Sequence, residues 1–292
     1  PNVVNGGGIL GWKSEESPGN VRCSSPEKWW VVEVDESDRS LLKFNPEIAL
    51  INTLTADHHS LEDSIDLFRA FAKRVKKTIV CGPGVKPYLE DFPGIQAELI
   101  EVTTPLQASL PGTHNHWNAA AVFMMAKASG CDPLLAEQAI KTFRGVERRL
   151  EGCNPESRGP LIFDDYAHNP EKISAAIQAV RPENGRLFIL WRPHGFAPLK
   201  QNFQAFVEAF TGNLREEDEA WILPVFYAGG TAPDGTDSND FVRALKLRGV
   251  NAQVLEDYPP EVPLDSRDVL LVTGARDPEL PVFAQRMGRL YR

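Results

Sequence analysis

The sequence predicts an α/β protein of two domains, each built on a mainly parallel β-sheet with flanking helices. Three observations lead to this prediction. Apolar runs are continuous rather than alternating, as in strands that are buried on both faces of a parallel sheet. Segments with helical periodicity separate these runs along the chain. The length of 292 residues corresponds to about two domains, since single domains usually have roughly 100 to 200 residues.

The first half of the chain contains two strand candidates and three helix candidates. WWVVEV at 29–34 and EIALINTL at 47–54 are predicted as buried strands. A helix is predicted over 60–75, a second over 113–130 and a third from Pro133. The predicted apolar stripe of the first helix consists of Leu61, Ile65, Phe68 and Ala72.

A loop rich in Gly, Pro, Asn and Ser at 151–160 is the best candidate for a domain boundary, which gives domains of 1–152 and 153–292. After this loop, strands and helices alternate regularly, as in a doubly wound, Rossmann-like domain. The predicted strands are LIFD, RLFILW, AWILPVFY, AQVLE and VLLVTGA, and helices are predicted to begin near Pro170, Leu199, Ser238 and Pro278.

The composition indicates a cytoplasmic protein that binds neither nucleic acid nor membrane. Asp and Glu number 40 against 31 Lys and Arg, so there is no basic footprint for nucleic acid. No apolar stretch is long enough to cross a bilayer. The cysteines lack paired metal-ligand spacing and are interpreted as ordinary thiols; they are Cys23, Cys81, Cys131 and Cys153.

Chemically active side chains are concentrated in FDDYAHNPEK at 163–172. Asn169 and Pro170 are typical of a helix start. The residues before them therefore lie between the carboxyl end of a strand and the amino end of a helix, where open α/β sheets bind ligands. These residues include Asp164, Asp165, Tyr166 and His168. A ligand site is predicted here, and a turn that merely favours Asp and Asn is the alternative.

Two polar clusters follow the predicted strands of the first domain. EVDESD begins with Glu33, and TADHHS contains Asp57, His58 and His59. The carboxyl ends of neighbouring parallel strands open on the same edge, and carboxylates with phosphate oxygens suit magnesium. A metal and phosphate site is predicted, with a solvated acidic loop and a surface His pair as the alternative.

Two weaker features lie further along the first domain. GTHNHWNAAA places His114, Asn115 and Asn118 at a helix start, where they suit a base or a phosphate but also serve as plain caps. GVERRLE supplies Arg148 and Arg149, which suit a phosphate or an ordinary surface. The chain contains no G-x-x-x-x-G-K-[ST] motif, no G-x-S-x-G motif and no paired CxxC motif. PNVVNGGGI reads as the end of a strand entering a glycine loop, which suggests that a segment precedes Pro1.

Taken in order, VVEVDESDRSLLKFNPEIALINTLTADH, GTHNHWNAA, RRLE and FDDYAHNPEKISAAIQAVR resemble the Mur ligase family, in particular its alanine-adding and murein-peptide-recycling branches. The likeness runs from about Asn2 to near the end of the chain. It implies a central ATPase-type domain at 1–152 that lacks its P-loop, followed by the family's Rossmann-like carboxy-terminal domain at 153–292.

The resemblance implies an ATP-dependent ligase of peptidoglycan precursor synthesis or recycling. In such an enzyme the carboxylate of a nucleotide-sugar or peptide substrate is activated as an acyl phosphate, which the amine of an amino acid or peptide attacks. ATP and magnesium are the implied cofactors. The resemblance implies that Glu33 and His58 bind magnesium. It implies that the nucleotide is bound by His114, Asn115, Asn118, Arg149 and Asp165. The implied catalytic residues near the amine are Tyr166, His168 and His194.

The sequence also departs from the family pattern. Asn169 stands where the family has a second His, and Gly195 and Pro198 replace two arginines expected near the amino acid's carboxylate. Without a P-loop, the chain alone is expected to be inactive. A non-catalytic nucleotide- or partner-binding homologue and a folylpolyglutamate or cyanophycin synthetase relative stay open as alternatives. The acceptor and the oligomeric state, including a homodimer, also stay open.

Overall fold

The computed structural model describes residues 1–24, 29–54, 60–227, 229 and 236–292. It divides the chain into two compact units, Pro1–Arg144 and Gly145–Arg292. This division falls eight residues before the boundary predicted after Gly152, and the assignment of the two parts to the family's named domains stays a prediction. Among the described helices, none combines the length and the apolar character that a membrane span requires.

The first unit contains two small sheets. In one, the order is β2-β1-β3, and in the other β4, β5 and β6 lie side by side in parallel. The strands are β1 (Asn2–Val4), β2 (Val21–Arg22), β3 (Trp30–Val32), β4 (Ile48–Ile51), β5 (Thr78–Cys81) and β6 (Glu98–Glu101). The helices are α1 (Leu61–Ala72), α2 (Thr113–Ala128) and α3 (Pro133–Thr142), with short 3-10 turns at Ser40–Lys43 and Lys86–Tyr88.

The parallel sheet of the first unit is covered on both faces. Ile79 of β5 packs in a cluster with Leu67 and Phe71 of α1. Val80, the next residue of β5, packs with Ala120 and Ala121 of α2. Because successive side chains of a strand point to opposite faces, the continuous apolar run TIVC serves both cores. The prediction of a parallel sheet flanked by helices is confirmed here.

Two details of this unit differ from the sequence prediction. The segment 29–34 was expected to be a buried strand, but β3 is short and Trp30 and Val31 are 59% and 52% exposed. Apolar composition does not specify whether another layer covers a strand. The buried residues of α1 are Ser64, Leu67, Phe71 and Ala72, so only Ala72 of the predicted stripe is fully buried, and Leu61 is exposed.

The second unit is a doubly wound domain with a six-stranded sheet in the order β11-β10-β9-β12-β8-β7. Five strands are parallel, and β7 pairs antiparallel with β8 at one edge. The strands are β7 (Glu151–Gly152), β8 (Leu161–Asp165), β9 (Leu187–Trp191), β10 (Glu219–Ile222), β11 (Ala252–Val254) and β12 (Val269–Thr273). The helices are α4 (Pro170–Val180), α5 (Phe196–Gln201), α6 (Phe203–Thr211), α7 (Ser238–Leu247) and α8 (Glu279–Leu290).

The helices of this unit cover opposite faces of the sheet. On one face, Trp191 of β9 packs with side chains of α4, α5, α6 and α7. On the other face, Leu190 of β9 and Val272 of β12 pack with α8. The loops after β8 and β9 therefore lead to one face, whereas the loop after β12 leads to the other. Such a reversal between adjacent strands creates the crevice in which open α/β sheets bind ligands.

The predicted strands and helix starts are close to the observed ones, with two corrections. The strand expected to run to Tyr227 ends at Ile222, because Pro224 lacks the amide hydrogen that a sheet ladder needs. The helix expected near Leu199 is two short helices, α5 from Phe196 and α6 from Phe203. The α4 prediction is confirmed in detail: Asn169 accepts a hydrogen bond from Lys172 N at 2.9 Å, and Pro170 is the first helical residue.

Candidate functional site

The carboxyl edge of the second sheet gathers several of the predicted site residues, among them Asp165, His168 and His194. The strand register aligns Asp165 of β8 with Thr273 of β12, and Thr273 with Trp191 of β9. His168 and His194 each lie three residues beyond this aligned layer. Their ring centroids are 6.3 Å apart, although 26 residues separate them in the sequence. Parallel pairing thus joins two motifs that the sequence carries separately.

Asp165 is buried, with 7% of its surface exposed. Its two carboxylate oxygens accept backbone amide hydrogens from Leu150, at 2.8 Å, and from Ala167, at 2.7 Å. Burial raises the pKa of this carboxyl group, and the two amides and the nearby arginines oppose that rise. Asp165 therefore ties the loop before β7 to the end of β8. These two hydrogen bonds are observed, whereas the nucleotide-binding role expected for Asp165 stays a prediction.

Asp164 is paired with Arg148. Nε of Arg148 lies 3.2 Å from Oδ2 of Asp164, whose side chain is 1% exposed. Nη2 of the same guanidinium donates to the carbonyl of Gly274 at 2.7 Å. Burial raises the pKa of Asp164 to about 7, against the lowering effect of Arg148. Arg148 adopts a left-handed φ of 56°, an uncommon conformation that surrounding contacts must hold.

Tyr166 lies between the arginines and the histidines. Its ring centroid is 4.9 Å from the guanidinium carbon of Arg148 and 6.0 Å from that of Arg149, within the range of cation–π attraction. The same ring is 5.6 Å from that of His168 in an edge-on arrangement. Nδ1 of His168 lies 2.9 Å from the carbonyl of Tyr166. Tyr166, His168 and Arg149 therefore form one group in the second unit, although the predicted boundary after Gly152 had assigned Arg149 to the first domain; their functional roles stay predictions.

His194 follows β9 and is half-buried. Burial lowers its pKa, and the positive charge of Arg276 and the neighbouring His168 lower it further. A neutral imidazole at this position is able to donate one hydrogen bond and accept another. The loop that carries His194 is held by backbone bonds: Phe226 N donates to Pro193 O at 2.8 Å, and Gly195 N donates to Phe226 O at 3.0 Å.

The sequence analysis missed two features of this edge. Arg276 stands three residues beyond the aligned layer on β12, with a left-handed φ of 63°. Asp277 accepts hydrogen bonds from Arg192 at 2.6 Å and from Tyr258 at 2.5 Å. The motif VTGARDPE after a strand was the available signal, but only the pairing of β12 between β8 and β9 shows its importance.

The predicted magnesium ligands belong to the first unit. Oε2 of Glu33 accepts the amide hydrogen of Gly6 at 2.6 Å. His58, together with Asp57 and His59, lies outside the described residues. Over 1–24, 29–54, 60–227, 229 and 236–292, no group of three or more His, Cys, Asp or Glu side chains is arranged to hold a metal. The magnesium site, with Glu33 and His58 as its predicted ligands, stays a prediction.

The predicted nucleotide-binding amides stand at the start of α2, as expected. Asn118 Oδ1 accepts a hydrogen bond from Asn52 at 2.8 Å, and Asn118 Nδ2 donates to Asn115 at 3.4 Å. Asn115 also donates to the carbonyl of Pro111 at 2.6 Å. Desolvation and the nearby His116 lower the pKa of His114. Asn52, which follows β4, joins this group although the sequence analysis did not single it out.

Comparisons with known proteins agree with this description. Residues 148–276 match the family model described as Mur ligase, glutamate ligase domain. The UDP-N-acetylmuramate–L-alanine ligase of Psychrobacter cryohalolentis is 29% identical over 91% of this chain and 64% of its own length. The chain thus spans about two thirds of the length of this relative.

Solved structures share the fold. A UDP-N-acetylmuramate-alanine ligase from Thermotoga maritima superposes with a TM-score of 0.74 at 22% identity, over 100% of this chain and 69% of that one. The Mycobacterium tuberculosis folylpolyglutamate synthase complexed with ADP gives a TM-score of 0.60 at 17% identity, over 90% and 67%. The sequence motifs, the matched domain model and the curated relatives agree: residues 148–276 match the glutamate ligase domain of Mur ligases, and the chain as a whole is similar to alanine-adding members of that family.

Proposed function

We propose that this chain carries nucleotide- and acceptor-binding parts of an ATP-dependent amide-forming ligase of the Mur type. Its substrates are the carboxylate of a nucleotide-sugar or peptide and the amine of an amino acid or peptide, in cytoplasmic peptidoglycan synthesis or recycling. The observation that carries the proposal is the group of Tyr166, His168, His194 and the two arginines at one sheet edge. The similarity to alanine-adding ligases supports it.

In this proposal the charged and aromatic groups of the second unit have two roles, which are phosphate binding and orientation of the amine-bearing substrate. Arg149 binds a phosphate oxygen of ATP, since a guanidinium makes strong charge-assisted bonds to phosphate. His168 and His194 orient the amine-bearing substrate, and the neutral state favoured at His194 lets it accept a proton from that amine. Arg148 is a positioning residue, because Asp164 and Gly274 already engage its guanidinium.

In the first unit, His114, Asn115 and Asn118 contact the adenine, and Glu33 is a magnesium ligand. Oε2 of Glu33 is held by Gly6, which orients the carboxylate. A single protein carboxylate fits magnesium, because this cation often keeps water and substrate phosphate in its coordination shell. When bound, magnesium offsets the negative charge of the phosphates.

Nucleotide binding to the 292-residue chain tests the proposal. We expect calorimetry to detect ATP in the presence of magnesium, and Arg149→Ala to weaken binding at least about tenfold, as removal of one charge-assisted bond worth roughly 1.5 to 3 kcal/mol requires. Arg289→Ala, which removes an exposed arginine near the end of α8, is the matched control. Absence of binding at millimolar ATP, or equal binding by wild type and Arg149→Ala, would contradict the proposal.

A non-catalytic nucleotide-binding role is the second candidate, and the replacement of two expected arginines by Gly195 and Pro198 favours it. The two candidates differ in turnover. Phosphate release that depends on both a carboxylate substrate and an amine supports the ligase. Binding of ATP with no phosphate release by the protein as its gene encodes it, in the presence of a panel of both substrates, supports the non-catalytic role.

A further inference from the structure

The loop after β12 carries Arg276, to which the proposed function assigns no role. Within the described part of the chain, no hydrogen bond or ion pair engages the Arg276 side chain, which is exposed. Its neighbour Asp277 does not neutralise it, because Arg192, Tyr258 and the amide of Glu279 already bond to that carboxylate. Arg276 therefore offers a free guanidinium near His194, whose ring it affects electrostatically.

The sheet places this guanidinium at the crevice. Thr273 pairs with both Asp165 and Trp191, and His168, His194 and Arg276 each follow their strand's aligned residue by three positions. The loop of Arg276 turns toward α8 on one face, whereas the loops of the two histidines lead to the opposite face. The three side chains therefore border the point at which the loop direction reverses.

The backbone of this loop is unusual and firmly held. Arg276 has a φ of 63°, a left-handed conformation that is uncommon for a non-glycine residue and that clusters at functional sites. Gly274 before it approaches the backbone so closely that a Cβ would lie 2.7 Å from the carbonyl oxygen of Arg192. Arg148 donates to the Gly274 carbonyl, and the Arg192–Asp277–Tyr258 group fixes the other side of the turn.

The neighbouring loop lacks a cation at the position where the family resemblance implies one. Gly195 has a φ of 77°, and a Cβ there would lie 3.3 Å from Cδ of Pro198. An arginine at 195 would thus be strained and crowded, and Pro198 carries no charge. Arg276, on the loop after β12, is a cation that the same sheet edge offers from another strand.

We infer that Arg276 is a specificity-determining residue that binds the carboxylate of the amine-bearing substrate, beside His168 and His194. The inference rests on the proposed ligase function and assigns a binding residue to the free carboxylate of its amino acid or peptide acceptor. A guanidinium binds a carboxylate through two parallel hydrogen bonds, which a lysine cannot reproduce.

Titrations without ATP test this inference separately from the proposed function. The full chain, labelled with ¹⁵N-histidine, is titrated with a panel of L-amino acids and with the α-amide of each. We expect at least one amino acid to shift the His168 and His194 ring signals saturably at millimolar concentration, and its amide to bind at least tenfold more weakly. Inorganic phosphate is titrated in parallel, because phosphate presents the same kind of oxyanion.

Variants assign the effect to Arg276. Arg276→Gly removes the guanidinium and suits the left-handed backbone, so we expect equal or higher thermal stability and at least tenfold weaker amino-acid binding. Arg276→Lys should bind with intermediate affinity, and the control Arg289→Ala should bind as wild type.

Three results would overturn the inference: no amino acid shifts the rings, Arg276→Gly binds as wild type, or phosphate binds at least as tightly as every amino acid. If ATP fails to bind in calorimetry while the amino-acid titration succeeds, the proposed function fails and the carboxylate site stands. If ATP binds in calorimetry while the amino-acid titration fails, the inference about Arg276 is rejected and the proposed ligase function is retained.

Discussion

Two adjacent aspartates at the end of β8 have different surroundings and different roles. Asp165 accepts two backbone amide hydrogens, whereas Asp164 faces the guanidinium of Arg148. Both are buried, and burial is the main cause of the raised pKa of each. A buried carboxylate costs free energy unless it is paired, which explains why the loop 148–150 has to pack against this strand end.

The raised pKa of Asp164 predicts a pH dependence of stability. The pKa is about 7 in the folded protein against 3.8 for the ordinary group, so the folded state binds more protons between these values. Protonated Asp164 therefore stabilises the folded state fully below about pH 4, and this stabilisation is lost as the pH rises through about 7. Since a pKa difference of one corresponds to about 1.4 kcal/mol, Asp164 contributes on the order of 4 kcal/mol to this pH dependence of the unfolding free energy.

Asp164→Asn removes this titration, and urea denaturation at pH 5 and pH 8 measures the result. We expect the loss of unfolding free energy from pH 5 to pH 8 to be smaller in the variant than in wild type. Asp91→Asn, an exposed position in the first unit, should leave that loss unchanged. An identical pH dependence in Asp164→Asn and wild type would show that Asp164 is ionised throughout.

At the scale of elements, α4 shows how a local signal fixes a helix start next to the site. Asn169 accepts the Lys172 amide hydrogen, and Pro170 begins the helix. Asn169→Ala removes this cap and should lower the unfolding free energy by about 1 kcal/mol, within a range of roughly 0.5 to 2. Asn169→Ser keeps an acceptor oxygen and should be within a few tenths of a kcal/mol of wild type.

Chemical denaturation of the three proteins measures this difference. Equal losses in Asn169→Ala and Asn169→Ser would show that the side chain is not acting as a cap, and that its replacement of the family's second His needs another explanation. Ring signals of His168, one residue away, report whether the cap also positions the site.

The elements differ in how well the sequence predicts them. The start of α4 was predicted because its cap and proline act within four residues. The exposure of Trp30 and Val31 was not, because apolar composition does not reveal whether a second layer covers a strand. Arg276 was missed for a related reason: its neighbours His168 and His194 come from other strands, and the sequence alone does not give the strand order.

At the scale of the whole molecule, each unit has its own buried clusters, and the contact-based division lies after Arg144. The loop composition at 151–160 placed the boundary after Gly152. The two positions make different predictions, because residues 145–152 contain Arg148, Leu150 and β7. All three contact β8: Arg148 pairs with Asp164, Leu150 N donates to Asp165, and β7 extends the sheet.

A chain of residues 145–292 should therefore fold alone with a single cooperative transition, and a chain of 153–292 should be much less stable. The shorter chain leaves Asp164 buried without its arginine, a loss of roughly 3 to 5 kcal/mol for a broken buried pair. Circular dichroism during urea denaturation measures both. In the longer chain, the spacing of the His168 and His194 rings should also be preserved, since both follow strands of its own sheet. Equal stability of the two chains would place the boundary after Gly152 and would mean that Arg148 and Leu150 do not stabilise the second unit.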